Sequence, residues 1–201
     1  MIRLILLGAA ALALAACEPP ETAEKAPEPA RPAPPPATPA PAAPVLTAEG
    51  YGPLRIGMTR AEVEQALGSD ANPEAVGGPD PEACDEFRPQ RAPEGLLVMI
   101  ENGVLTRVSV IQGGQVRSDR DIGVGDPAAQ VKTLYGPLVR ASPHKYVEAP
   151  AEYLTVWSRG GGAQYVQDPN ARGLVYEINR DGRVQAIRGG GPSIQYVEGC
   201  A

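Results

Sequence analysis

The apolar positions of residues 46–201 form two similar series. Residues 54–68, LRIGMTRAEVEQALG, align without a gap on residues 122–136, IGVGDPAAQVKTLYG. Apolar residues recur at matching positions, and each segment ends in glycine. Such an internal repeat is expected to build the same supersecondary unit twice. The pattern therefore predicts a two-repeat domain, with repeats at about 52–118 and 120–200.

Each copy predicts a helix of about two turns. In the first copy Thr59 is the expected N-cap, and Glu62 lies three residues later, as in a capping box. Gly68 supplies the left-handed residue that ends a helix. In the second copy Asp126 is the expected cap and Pro127 the first helical residue, with a glycine again at the end.

Strand patterns follow each helix. Apolar segments around a two-residue turn predict a hairpin in each repeat: residues 95–100 and 104–111 around Asn102-Gly103, and residues 173–178 and 183–188 around Asp181-Gly182. Further strands are expected at residues 83–89, 144–147, 153–158 and 193–197. Short connections favour antiparallel pairing. The prediction is an α+β fold, in which a short helix and an antiparallel meander occur twice in one sheet-rich domain.

The amino-terminal segment differs from the rest. An apolar run over residues 4–16 follows Arg3 and is too short to cross a bilayer, which needs about 20 residues. It predicts a targeting segment. Its end, Leu14-Ala15-Ala16-Cys17, resembles the lipobox of bacterial lipoprotein signal peptides. The resemblance implies cleavage after residue 16 and lipidation of Cys17. The alternative is an ordinary signal peptide with an incidental cysteine.

With Cys17 acylated, we expect the acyl chains to anchor the protein in membrane lipid. The protein would then lie on the periplasmic face without a membrane span. Glu18, rather than an aspartate, follows the cysteine, which favours the outer membrane over the inner one. Residues 17–45 form the expected tether. Proline-rich chain extends by about 3.1 Å per residue, so the proline-rich part of the tether, residues 19–44, reaches at most roughly 80 Å. Its alternative role is as a ligand for a proline-recognising domain.

Charge and cysteine content narrow the function further. Loss of Arg3 with the signal leaves 17 basic against 24 acidic side chains, which argues against a nucleic-acid partner. Cys84 and Cys200 then remain in an oxidising compartment, and we expect them to form a disulfide. A redox or metal-binding thiol pair is the alternative. It lacks a Cys-x-x-Cys spacing and a ligand cluster around His144, so no metal or cofactor is expected.

A family resemblance rests on residues 52–68, GPLRIGMTRAEVEQALG. This stretch resembles the opening of the SmpA/OmlA domain, found in a small lipoprotein of the outer-membrane protein assembly machine. Tandem copies resemble the β-lactamase inhibitor protein fold, which implies two units that form a concave sheet. Two copies behind a long tether differ from the single compact unit of the assembly lipoprotein.

Catalytic chemistry is not indicated. His144 is the only histidine, and no nucleophile-elbow motif positions a serine for it. We therefore expect no enzyme. A surface is the better candidate: in residues 153–157, YLTVW, the strand period separates the aliphatic side chains from the aromatic ones. The aromatic face is either core or an interface of the kind that anchors partners. The predicted partner-binding residues are Tyr146, Tyr153, Trp157 and Tyr165.

The sequence thus predicts a non-catalytic protein-binding or scaffold module that has an envelope protein as its partner. One alternative is an inhibitor of a hydrolase (a lysozyme, protease or lactamase), with residues 143–151 entering the active site. Another is a glycan-binding module, with Trp157 and Tyr153 exposed side by side. A hydrolase would require a polar cleft around His144.

Overall fold

A computed structural model describes residues 43–75 and 77–200. The predicted signal segment 1–16, Cys17 and nearly all of the tether lie outside these residues. The domain that follows is a sheet-rich α+β fold, so this part of the prediction is confirmed. Its main sheet has seven antiparallel strands in the order β3-β4-β5-β9-β8-β7-β6, and β1 and β2 form a separate two-stranded ribbon.

The elements in chain order are β1 (Leu46–Thr47), β2 (Gly50–Tyr51), α1 (Arg60–Leu67), β3 (Cys84–Phe87), β4 (Leu96–Glu101), β5 (Val104–Val110), α2 (Ala128–Tyr135), a 3₁₀ helix (Gly136–Leu138), β6 (Arg140–Pro143), β7 (Glu152–Arg159), β8 (Arg172–Ile178), β9 (Val184–Gly190) and a second 3₁₀ helix (Pro192–Gln195).

The core lies between one face of the sheet and the two α-helices. Each helix contributes one fully buried valine, Val63 in α1 and Val131 in α2. Burial of such a side chain contributes about 1.5–3 kcal/mol. Both valines pack into a single cluster with alternate residues of the strands. Among the cluster residues with no exposed surface are Leu96, Val98, Leu105, Val108, Leu154, Tyr176, Ile178 and Ile187.

The same backbone hydrogen bonds join each helix to the hairpin that follows it. A glycine before the helix donates its N–H to a buried strand residue, and the first helical N–H donates to the glycine of the hairpin turn. The pairs are Gly57 to Leu105 (2.8 Å) and Arg60 to Gly103 (3.0 Å) in the first half, and Gly125 to Val184 (2.8 Å) and Ala128 to Gly182 (2.9 Å) in the second.

The first helix is capped as predicted, whereas the second is not. Thr59 and Glu62 form both hydrogen bonds of a capping box. Helix α2 is preceded by Pro127, which makes no side-chain cap. The predicted cap, Asp126, instead accepts hydrogen bonds from the Arg117 guanidinium (2.7 Å) and from a backbone N–H outside the helix. Because the Arg117 guanidinium holds the Asp126 carboxylate, this side chain does not cap α2.

Three local predictions are wrong. Residues 144–147 lie in a loop, because β6 ends at Pro143 and the chain then turns. Residues 193–197 include a 3₁₀ helix, because their carbonyl groups face a buried arginine rather than a neighbouring strand. The second hairpin lacks the two-residue turn. Asn102 and Gly103 both have positive φ, as a primed turn requires, whereas residues 179–183 form a longer connection.

The carboxyl-terminal residues 191–200, hereafter the strap, cross the sheet face opposite the helices. Ile194 of the strap is fully buried and packs with Tyr153 of β7. Beyond Ile194, Cys200 forms a disulfide with Cys84 of β3, and the Cα atoms of the two cysteines are 5.4 Å apart. This is the pairing expected from the cysteine count. The strap therefore covers much of a face that an open sheet would expose.

The α1 cap gives a stability prediction. Thr59→Ala removes the side chain that accepts the Glu62 N–H, so the free energy of unfolding should fall by about 1 kcal/mol. Chemical denaturation measures the loss. Thr133→Ala, at an exposed position inside α2, is the matched control and should leave stability within about 0.5 kcal/mol of wild type. Equal stability of the two variants would contradict the cap's role.

The disulfide gives a second prediction. Replacing Cys84 and Cys200 together by serine opens a loop with a sequence separation of 116 residues. The chain-entropy model sets the loss at up to about 4–5 kcal/mol. Denaturant midpoints of the oxidised protein, the reduced protein and the double variant measure it. The reduced protein and the variant should agree with each other and unfold first; an unchanged midpoint would show that the bridge adds nothing.

Candidate functional site

Charged side chains are buried beneath the strap. Arg107 of β5 is 2% exposed, and its guanidinium pairs with Glu86 of β3 at 2.8 Å. It also donates to the backbone carbonyls of Ser193 and Tyr196, at 3.1 and 3.0 Å. Burial lowers the pKa of Arg107, and the charge of Glu86 opposes that change. One buried cation therefore holds the strap to the middle of the sheet.

A second charged group centres on Glu177 of β8. Its carboxylate accepts hydrogen bonds from Arg188 and Gln185 of the neighbouring strand, and one oxygen lies 3.3 Å from His144 Nε2. Burial by itself raises the pKa of Glu177. The charge of Arg188 and the hydrogen bonds from Gln185, His144 and Arg188 outweigh burial, so the pKa is lowered and the group stays ionised.

His144 connects this buried group to the surface. Its side chain is 6% exposed, and the ring stacks on Tyr153 with centroids 4.8 Å apart. Nε2 faces Glu177, while Nδ1 accepts the backbone N–H of Tyr146 at 3.2 Å. The backbone N–H of His144 donates to the backbone carbonyl of Ala151 at 3.4 Å, and this hydrogen bond closes a loop. Residues 144–151 are called the Tyr146 loop below.

The Tyr146 loop is tied to elements on both sides. Lys145 Nζ lies 2.9 Å from a carboxylate oxygen of Glu198 in the strap. At the far end of the loop, Glu152 pairs with Lys132 of α2 at 2.6 Å. One groove, of about 720 Å³, lies among the loop, α2 and β6. Another, of about 480 Å³, lies among Lys145, Tyr165 and the strap. The loop thus lines the first groove along its whole length and the second at Lys145.

The predicted aromatic surface is only partly present. Tyr146 and Tyr165 are 62% and 54% exposed. Tyr153, in contrast, is 8% exposed, and Trp157 is half-buried beside the same cluster. At Tyr153 the aromatic face is therefore buried, the alternative that the sequence leaves open. The face that carries it is covered by Ile194 of the strap, an element that the sequence predicted as a strand rather than as a cover.

The sequence pattern does not predict that the charged side chains of the strands are buried and paired. A signal for them exists, because Glu177 and Arg188 interrupt otherwise apolar strands, in LVYEI and VQAIR. Each alternates with core residues and so faces away from the helices. The period predicts that face. It does not predict that both side chains meet there, since that depends on the register between β8 and β9.

The chemistry around His144 favours a structural role. The hydrogen bonds of its ring nitrogens join it to a carboxylate and a backbone amide rather than to a hydroxyl or thiol.

Across residues 43–75 and 77–200 there is no group of three metal-ligating side chains. No helix in that part of the chain has both the length and the hydropathy needed to cross a membrane.

Comparison with known proteins adds no assignment. No protein-family model, no curated protein and no solved structure matches this chain.

The Glu177 group yields a prediction. Glu177→Gln leaves Arg188 buried without its counter-charge, which should lower the free energy of unfolding by about 3–5 kcal/mol near neutral pH. The lowered pKa means that the carboxylate stabilises the fold above the ordinary glutamate value and loses this effect as pH falls through the folded value.

Urea denaturation of both proteins, at pH about 7 and about 3.5, checks this. The difference between them should shrink in acid. The exposed Glu148→Gln is the control and should match wild type at both pH values. A constant difference would show that Glu177 acts through packing rather than charge.

Proposed function

We propose that this chain is a membrane-anchored envelope lipoprotein whose domain binds another protein in the periplasm without catalysis. The observation that carries the proposal is Tyr146, an exposed tyrosine on a loop whose base is buried and hydrogen-bonded. Exposed aromatic side chains supply much of the energy of protein interfaces. A loop that is already ordered loses little conformational entropy on binding. Both conditions are met at this residue.

The anchor is proposed from the lipobox resemblance at Cys17. Acylated Cys17 would hold the protein on the periplasmic face of a membrane, with Glu18 favouring the outer one. The proline-rich part of the tether, residues 19–44, would let the domain stand off by at most roughly 80 Å. The site would then reach partners beyond the lipid surface.

The domain is further proposed to consist of two copies of one helix–meander repeat, related to the SmpA/OmlA domain. The equivalent hydrogen bonds that join each helix to its hairpin support this arrangement. So does the order of the sheet, in which β3-β4-β5 and β9-β8-β7 meet at their last strands. A repeated helix–meander unit would account for both the equivalent hydrogen bonds and the order of the strands.

The inhibitor alternative has an observation in its favour. The Tyr146 loop carries an exposed tyrosine and lines two grooves, which suits contact with a cleft on a hydrolase. The glycan-binding alternative requires Trp157 and Tyr153 exposed side by side, and the burial of Tyr153 gives it no support. Inhibition of a hydrolase is therefore the second candidate.

Crosslinking from the loop tests the proposal. A photoreactive residue at position 148, an exposed position in the same loop, should crosslink the lipidated protein in cells to one envelope protein, identified by mass spectrometry. Tyr146→Ala should then weaken binding of that purified protein at least tenfold, as expected for an interface anchor. Inhibited activity of a captured hydrolase would favour the second candidate.

Leu138→Ala is the control, because this apolar residue is similarly exposed but lies in the first 3₁₀ helix, outside the loop and both grooves. It should change affinity less than about threefold. Cys17→Ala should reduce the crosslink in cells and leave affinity in solution unchanged. Binding that survives Tyr146→Ala intact would refute the assignment of the loop.

A further inference from the structure

We propose that His144 is a pH-sensitive switch that holds the Tyr146 loop in its binding conformation only while the imidazole is neutral. The inference rests on the proposed function, since it describes regulation of the same loop. Its structural basis is independent of any partner. It consists of two hydrogen bonds that place the two ring nitrogens in opposite roles.

The two ring nitrogens of His144 differ in whether they carry a proton. Nε2 faces the ionised Glu177, at 3.3 Å, and must donate to it. In a neutral ring Nδ1 then carries a lone pair, and it accepts the Tyr146 N–H at 3.2 Å. Neutral His144 is thus both a donor towards the sheet and an acceptor towards the loop. This arrangement specifies a single tautomer.

Protonation affects the two bonds differently. An added proton on Nδ1 converts the acceptor into a donor, so two N–H groups face each other across the loop bond and that bond is lost. The bond from Nε2 to Glu177 becomes charge-assisted and strengthens. The ring is therefore held more tightly by the sheet at the moment it releases the loop.

The ring cannot leave its site to avoid this conflict. It is 6% exposed and is stacked on Tyr153. Two backbone hydrogen bonds still close the loop, from the His144 N–H to Ala151 (3.4 Å) and from the Ala151 N–H to Glu148 (3.2 Å). Lys145 pairs with Glu198 through side chains that are about half exposed, and such exposed pairs contribute little. The two backbone bonds do not involve Tyr146, so loss of its hydrogen bond to Nδ1 releases the Tyr146 N–H.

Most of the charged groups around the ring are paired. From β8 the ring faces Glu177, which pairs with Arg188 of β9, and Gln185 adds no charge. Tyr153 of β7 is neutral, and burial raises its pKa. Lys145 pairs with Glu198 and Lys132 with Glu152, while Glu148 of the loop is exposed to solvent. A proton on His144 adds a positive charge beside these groups.

Nuclear magnetic resonance of the ¹⁵N-labelled full chain carrying Cys17→Ala tests the switch without a partner. Between pH about 8 and about 5, the Tyr146 amide shift should follow the His144 ring nitrogens with the same midpoint. Its hydrogen exchange, corrected for intrinsic pH dependence, should become at least tenfold faster below that midpoint. The Tyr165 amide is the internal control and should not follow the ring.

His144→Asn supplies a non-titrating acceptor near the position of Nδ1 and should abolish the transition at Tyr146. The wild-type titration is decisive even if this variant fails to fold. A ring that stays neutral down to pH about 5, or a Tyr146 amide that ignores ring protonation, would overturn the switch. Either result leaves the crosslinking test of protein binding untouched, so the two proposals fail separately.

Discussion

The structure depends on a buried cation, Arg107, at the centre of the sheet. Its guanidinium joins Glu86 on one side and two carbonyl groups of the strap on the other. A charge so deeply buried is tolerated only when it is paired and hydrogen-bonded. The strap supplies part of that pairing, so the sheet and its cover stabilise each other. The disulfide between Cys84 and Cys200 fixes the end of the same segment.

With the strap in place, the polar face of the sheet becomes an interior. Ile194 covers Tyr153, and Tyr153 in turn supports the ring of His144. Glu177 and Arg188 complete the layer below. In a low-dielectric setting such hydrogen-bonded charges hold their geometry well, since each lost bond leaves an unpaired group. Order therefore extends from the middle of the sheet to the base of the Tyr146 loop.

This arrangement explains why one tyrosine, and not an aromatic face, is the candidate anchor. A strand pattern such as YLTVW divides side chains between two faces but does not say which face meets water. The strap decides this by burying Tyr153 and half-burying Trp157. Tyr146 lies beyond the strand, on a loop tied to the strap and bordered by grooves, and so remains accessible. The exposed aromatic surface is therefore smaller than the sequence pattern predicts.

The sequence by itself determined the local elements. Thr59 with Glu62, and Asn102 with Gly103, specify a helix start and a turn through contacts between near neighbours, and the alternating apolar residues specify a sheet. Only the tertiary structure decided the cap of α2, the path of the strap and the meeting of His144 with Glu177. Each of these depends on contacts with other elements of the chain. Arg117 pairs with Asp126, Arg107 donates to the carbonyl groups of the strap, and strand register places Glu177 beside Arg188. Periodicity reports which face a side chain occupies, whereas burial and charge pairing across the sheet determine what that face becomes.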